Sequence, residues 1–420
     1  MNASSRFATR HFVAPQDAET QLADRLPMRI LLPYLLAAMS LALAYGASFL
    51  LADALVAAGY AASRAGTVIG VGIVATLVGA VFAGRWAERM GILPLIACAA
   101  GAMAMAMACF ALMGAGGLPM AYAGGLLLGL GWAVFYMLAP ILLIHCLKPN
   151  ARLEALTLLS GSQMLGMGLA APLGHFLARQ SGRVSAAFAA YAACCVIAAG
   201  FAWLLRRSLA RQPQLPLKTV ALSLSAVACV LRAKTVLPVA LMGIAACTFA
   251  GLSTFQSLYA QSRGLSADTF FLTFTITTVL LRFTVASWIG KLPLGRLALA
   301  LFAITLGGIL LLAVNAGSAP LYVAATILFA TGYGLTYSTL NAMAVNLAEG
   351  LGISIPAASQ VFTLGYFAGA FGFPYVAGSL IAASGIDAAL WMMLGLVGCN
   401  LAVAAVTPAF RSYRLTRGRP

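Results

Sequence analysis

Apolar runs long enough to cross a bilayer recur along the chain, separated by short polar breaks that carry most of the charge. They fall at roughly 30–55, 65–84, 92–114, 118–146, 154–178 and 184–205. After a polar basic stretch they resume at 235–260, 268–289, 294–314, 319–347, 356–383 and 387–408. A helix of about 20 apolar residues spans the hydrocarbon core, so each run predicts one transmembrane helix. Residues 219–231 are apolar but too short to cross, and Lys218 and Arg232 bracket them; they predict an interfacial or cytoplasmic helix. The expected organisation is a tail over 1–29, a six-helix bundle over 30–206, a central loop over 207–234, a second six-helix bundle over 235–408, and a tail over 409–420.

Composition agrees with this pattern. Hydrophobic residues make up 62% of the 420 and charged residues 8%, too few charges to cover a water-soluble fold. The 42 glycines suit helices that pack closely in lipid. The first run exceeds a signal-peptide core and is expected to stay as the first helix.

The net charge of +16 does not indicate nucleic acid, because the basic residues form no dense tract. Their distribution reads instead as topology. With the N-terminus inside, twenty of the 25 Lys and Arg residues fall on cytoplasmic segments, four on outer loops, and Arg282 within a span. Cytoplasmic loops are the basic ones, so both termini are expected in the cytoplasm. The eight cysteines form no CxxC and read as buried, inert thiols. No metal, cofactor or enzymatic constellation is indicated.

The central loop divides the spans six and six, and the halves share a pattern. Gly131-Trp132 and Tyr136 in the fourth span match Gly332-Tyr333 and Tyr337 in the tenth. The fifth and eleventh agree more loosely through Ser162-Gln163 with Ser359-Gln360, Pro172 with Pro374, and Ser181-Gly182 with Ser384-Gly385. Between the second and third spans lies Gly84-Arg85-Trp86-Ala87-Glu88-Arg89-Met90-Gly91, read as a loop; a degraded copy, Gly290-Lys291 to Gly295-Arg296, follows the eighth.

On these features the chain resembles the major facilitator superfamily along nearly its whole length. The Gly84–Gly91 segment is similar to that family's cytoplasmic signature, with Glu88 in the acidic position and the usual following basic residues replaced by Ile92-Leu93-Pro94. The tenth span, from Tyr337 to Asn346, resembles efflux members of the arabinose- or drug-efflux type, and Gly166, Gly168, Pro172 and Gly174 partly echo the exporter motif. The arginine expected in the fourth span of drug–proton antiporters is absent. The resemblance implies an all-α membrane fold of twelve helices in two pseudo-symmetric bundles. It also implies alternating access, proton coupling and a bacterial inner membrane as the location, with both ends of the chain cytoplasmic. The expected partners are a small-molecule substrate, protons and the lipid bilayer, for a protein working as a monomer.

The candidate gate is Gly84, Glu88, Arg89 and Gly91. The glycines would bring two helices close, and Glu88 would face the start of the eleventh helix at Ser354-Ile355-Pro356, near a positive dipole end. The alternative is a charged loop that anchors topology. Arg282, inside the eighth span, is a candidate for substrate binding or proton coupling, since an intramembrane charge is costly. Thr275 and Thr278 share its face as the wall of a polar cavity; the alternative is an arginine snorkelling to the headgroups. Asp53, at the outer end of the first helix, is either a proton-exchanging acid or an interfacial helix-end carboxylate. The spans that line the central cavity in the family carry Tyr45, Trp132, Tyr136, Phe255, Gln256, Tyr333, Tyr337 and Asn341, a set suited to an amphipathic ligand. Gln163 and Gln360 are weaker candidates, because polar residues also join helices. His145 and His175 read as isolated residues with structural hydrogen bonds.

The leading expectation is a proton-coupled antiporter exporting a small amphipathic organic molecule, with Arg282 favouring an anionic group. Uptake of a nutrient, or a non-transporting receptor on the same fold, are the alternatives.

Overall fold

A computed structural model describes residues 23, 25–147, 149–209, 224–284, 292–353 and 355–407. The two terminal tails, residues 210–223, residues 285–291 with the Gly290-Lys291 pair, Ser354 and the side chains of His145 and Pro356 lie outside that description.

Twelve long helices make up the described chain. They are α1 (Met28–Ala57), α2 (Arg64–Met90), α3 (Ile92–Ala111), α4 (Met113–Cys146), α5 (Pro149–Ser181) and α6 (Val184–Leu209), then α7 (Val236–Thr254), α8 (Ala267–Thr284), α9 (Leu294–Val314), α10 (Ala319–Gly350), α11 (Ile355–Ser384) and α12 (Ile386–Val406). Short helices occupy Leu224–Arg232 and Gln256–Ser262. Eleven of the twelve are long and apolar enough to cross a membrane. The exception is α8, whose described 18 residues include Asp268, Arg282 and six threonines.

Three local departures have backbone causes. The Gly84–Met90 segment is not a loop: α2 runs on to Met90, because residues 85–90 are all compatible with helix. The connection to α3 is Gly91 alone, whose φ of 85° lies in the left-handed region that favours glycine. The fourth helix starts through Gly117 at φ 66°. The run 235–260 is broken at Phe255 (φ −110°, ψ 17°), where α7 ends and Gln256–Ser262 begins. Ahead of α7, the nine residues of Leu224–Arg232 are too few to span and pack against α11 and α7.

Packing repeats with a period of six helices. The contacts α1–α5, α1–α6, α2–α4, α3–α4, α3–α6 and α5–α6 in the first half recur as α7–α11, α7–α12, α8–α10, α9–α10, α9–α12 and α11–α12 in the second. The large contacts between halves are α2–α11 and α5–α8, which exchange under the same shift. Glycines set the close approaches. A Cβ on Gly131 would meet the Ala99 carbonyl of α3 at 2.7 Å, and one on Gly332 would meet the Leu301 carbonyl of α9 at 2.6 Å. The repeated Gly131/Gly332 position is therefore a helix-packing feature, whereas the aromatic beside each glycine points into the bundle and is buried.

The perimeter carries exposed Val74, Val196, Ile197, Trp203, Leu204, Ile276, Leu280 and Trp391. An apolar belt outside a bundle that is itself closely packed is the arrangement a bilayer requires. One end of the bundle holds Arg85, Arg89, Arg206, Arg207, Arg232 and Arg296 and is called the basic end below. The opposite end holds Asp53, His175 and Asp268.

Candidate functional site

The α5–α8 contact joins the halves along an antiparallel seam with three steps. At one end His175 faces Asp268, in the middle Gly168 packs on Thr275, and toward the basic end Ser160 meets Arg282. The steps on α8 are seven residues each, and those on α5 are seven and eight. That spacing keeps one face of each helix on the other, as along a coiled-coil seam. A Cβ on Gly168 would lie 2.7 Å from that of Thr275, so only glycine lets the helices meet there. Thr275 and Thr278 do not wall a cavity: both are buried and return their hydroxyls to carbonyls of their own helix at 2.6 and 2.9 Å.

Arg282 does not reach out of the bundle. One terminal nitrogen donates to the Ser160 hydroxyl across the seam, and its Nε is buried with no partner. A buried donor left unpaired costs roughly 1–3 kcal/mol, which marks a place where a partner is missing. Asp268 is no candidate, being 14 residues and about 21 Å away along α8.

Around this point, aromatic rings from both halves meet. Tyr45 of α1 stacks on Trp132 of α4 at 4.3 Å between centroids and meets Phe371 of α11 at 5.9 Å. Tyr136 stacks on Tyr366 at 5.9 Å and meets Tyr337 edge-on at 6.4 Å, and Tyr337 meets Tyr366 edge-on at 5.6 Å. Tyr337 also lies 3.4 Å from the Thr363 hydroxyl. Arg282 lies one turn beyond Thr278, whose side chain packs on Gly334 of α10, three residues before Tyr337. Trp132 Nε1 and Asn341 Oδ1 are buried without partners, so a cationic, aromatic centre with unspent donors and an unspent acceptor lies between the halves. It is closely packed: the cavity beside Tyr45 and Ser48 is ≈ 10 Å³, room for about one water.

Other expected site residues are placed elsewhere. Tyr333 is sandwiched between Phe249 (4.7 Å) and Phe329 (5.7 Å) inside the second half. Gln256 is fully buried at the α7 break and holds the Tyr322 hydroxyl at 2.5 Å, and Phe255 is buried beside it. Gln163 is buried in α5. Glu88 and Arg89 are exposed on the last turn of α2, far from the aromatic centre, with Gly84 one turn earlier and Gly91 ending the helix.

The opposite end corrects the reading of His175 as isolated. Its Nδ1 is 2.5 Å from Asp268 in the second half, and its Nε2 is 3.1 Å from Asp53 in the first. The remaining oxygens are also taken: Asp268 receives Arg179 at 3.5 Å, and Asp53 receives the Gln261 amide at 3.4 Å. Asp53 is thus more than a helix-end carboxylate. The three groups are about one-fifth exposed, and Asp53 and His175 border a cavity of ≈ 400 Å³. A Cβ on Gly378 of α11 would lie 2.5 Å from the Ser63 carbonyl just before α2, which closes the second seam at this same end.

Sequence reasoning missed Ser160, Tyr366, Gln261 and the role of Asp268. The seven-residue steps 268–275–282 are a signal that was available.

The sequence matches the Major Facilitator Superfamily over residues 30–370. No curated protein matches it significantly. Solved structures share its fold at low identity. A nucleoside transporter, NupG, solved as a point mutant, superposes with a TM-score of 0.71 at 12% identity, covering 90% of this chain and 99% of the other. An auto-inhibited peptide transporter of the POT family gives 0.66 at 14%, covering 93% and 99%. The human organic anion transporter MFSD10 (TETRAN) gives 0.63 at 16%, covering 90% and 100%.

Proposed function

Because the chain belongs to the Major Facilitator Superfamily and is a multi-pass transporter of that fold, we propose that it exports a small amphipathic organic anion by alternating access, in exchange for protons. The three solved relatives carry names for different solutes, so fold does not choose a cargo and the site must.

The observation that carries the reading is Arg282, a guanidinium with an unpaired buried Nε at the junction of the halves, beside phenols contributed by both. A ligand carboxylate or phosphate would take the free donor in a charge-assisted bond. The faces of Tyr45, Trp132, Tyr136, Tyr337 and Tyr366 would hold its apolar body, and Asn341 would orient a donor on it. Tyr333 and Gln256 support that wall from behind. Asp53 and Arg282 are the proton-coupling groups of this reading, one open to water and one at the cargo.

The basic end is assigned to the cytoplasm of a bacterial inner membrane, following the placement of the basic residues. Glu88 and Arg89, on the helix end fixed by Gly84 and Gly91, form the gate on that side. The protein works as a monomer.

The test is flux of a fluorescent carboxylated amphiphile through the purified chain in proteoliposomes, with a pH gradient imposed in either direction. Probe movement against the inward proton flow is expected. Movement with the protons would make the protein an uptake permease, and flux indifferent to the gradient would remove coupling.

A further inference from the structure

The His175 cluster lies at the opposite end of the seam from Arg282 and plays no part in holding cargo. The hydrogen bonds there constrain its protons. Two ring nitrogens each face a carboxylate oxygen, and a neutral imidazole donates from only one nitrogen. Both contacts are satisfied together only if the ring is the imidazolium, or if a carboxyl carries the extra proton.

This arrangement also bridges the halves. His175 to Asp268, Arg179 to Asp268 and Gln261 to Asp53 all join the first half to the second. The neighbouring groups are accounted for. On α6, Tyr191 gives its hydroxyl to the Ala170 carbonyl, and Arg263 is paired with Asp387 away from the cluster. The cavity of ≈ 400 Å³ bordered by Asp53 and His175 gives water access to the ring, and with it a route for proton exchange.

We propose that His175, Asp53 and Asp268 form a proton-binding latch: the imidazolium, donating to a carboxylate in each half, holds this end of the bundle shut, and loss of its proton to the cavity water releases it. Deprotonation leaves one ring nitrogen as a lone pair against a carboxylate, so one of the two charge-assisted hydrogen bonds is lost, and it removes the positive charge from the donor of the other. Closure weakens by about tenfold in the open-to-closed ratio. Arg179 and Gln261 remain as the weaker tie, so the end loosens rather than falling apart. Low pH locks this end and high pH frees it. The latch rests on the transporter reading only in taking this end as one that opens.

Spin labels at Ala57→Cys and Ser384→Cys, on exposed helix ends of opposite halves, report the opening by distance in lipid nanodiscs, with the eight native cysteines replaced. From about pH 5 to about pH 10, a range that brackets imidazole titration, a longer-distance population is expected to grow about tenfold. His175→Gln should flatten that response, and Asp268→Asn serves as the second variant should His175→Gln not fold. A wild-type distance indifferent to pH overturns the latch, as does an unchanged response in the variants. The distances need no solute. Intact flux with a flat response removes the latch alone, whereas a pH-driven opening in a chain that carries nothing removes the transport reading alone.

Discussion

The two ends of the α5–α8 seam are built by the same pair of helices and solve opposite problems. At one end three ionisable groups, about one-fifth exposed, use every carboxylate oxygen with their neighbours, and two of them, Asp53 and His175, border an open cavity. At the other, some 21 Å along α8, a single arginine has a serine for company and an unpaired donor. A charge fully met by fixed partners holds a conformation. One left short is prepared for a partner that comes and goes, because removing a buried group's only partner is what makes it costly. On the proposed reading, the closed end serves gating and the unfinished end cargo.

That division can be broken most directly at Arg282. Arg282→Gln is expected to lower the initial flux of the carboxylated probe about 100-fold, the scale of a lost charge-assisted contact, and to leave an uncharged analogue nearly unaffected. Equal losses for both probes would make Arg282 a structural residue.

A smaller effect is expected from the middle of the seam. Gly168→Val drives a side chain into Thr275, already 2.7 Å from the position of a Cβ. Overpacking of this kind costs about 1–3 kcal/mol, so the melting temperature should fall and flux should drop about tenfold for charged and uncharged probes alike. A variant as stable and active as the wild type would show that the seam is looser than drawn.

The mildest change is Ser160→Ala, which deletes a cross-half partner of Arg282 without touching the guanidinium. About 1 kcal/mol is at stake, and the population open at the basic end, read by spin labels at the exposed Met90→Cys and Arg296→Cys, should rise about fivefold. An unmoved distance would place Arg282 wholly with the cargo and give it no share in closure.

Much of the architecture was readable from residues alone, since apolar length is a one-dimensional signal. The run 294–314 coincides with α9, and most other boundaries fall within a few residues. The departures came where a backbone choice is settled locally by neighbours. Gly91 ends a helix that no residue before it stops, and Phe255 interrupts one with neither glycine nor proline. The site was less legible. Arg282 stood out because a charge in an apolar run needs no partner to be noticed. His175 did not, because its meaning comes from Asp53 and Asp268, which are 122 and 93 residues away in the chain. Tyr366 belongs to the aromatic centre only once α11 is laid against α4, and no spacing in the sequence announces that contact.

The second inter-half seam has a consequence for speed. Where α2 meets α11 near the latch, Gly66 and Gly378 abut the backbone at Pro374 and Ser63, with the Phe255 ring against both. Parting such surfaces requires few rotamer changes, so little internal friction opposes the movement. The time the protein dwells in one state is then governed by the α5–α8 side, and the glycine seam serves as a bearing on which the halves turn.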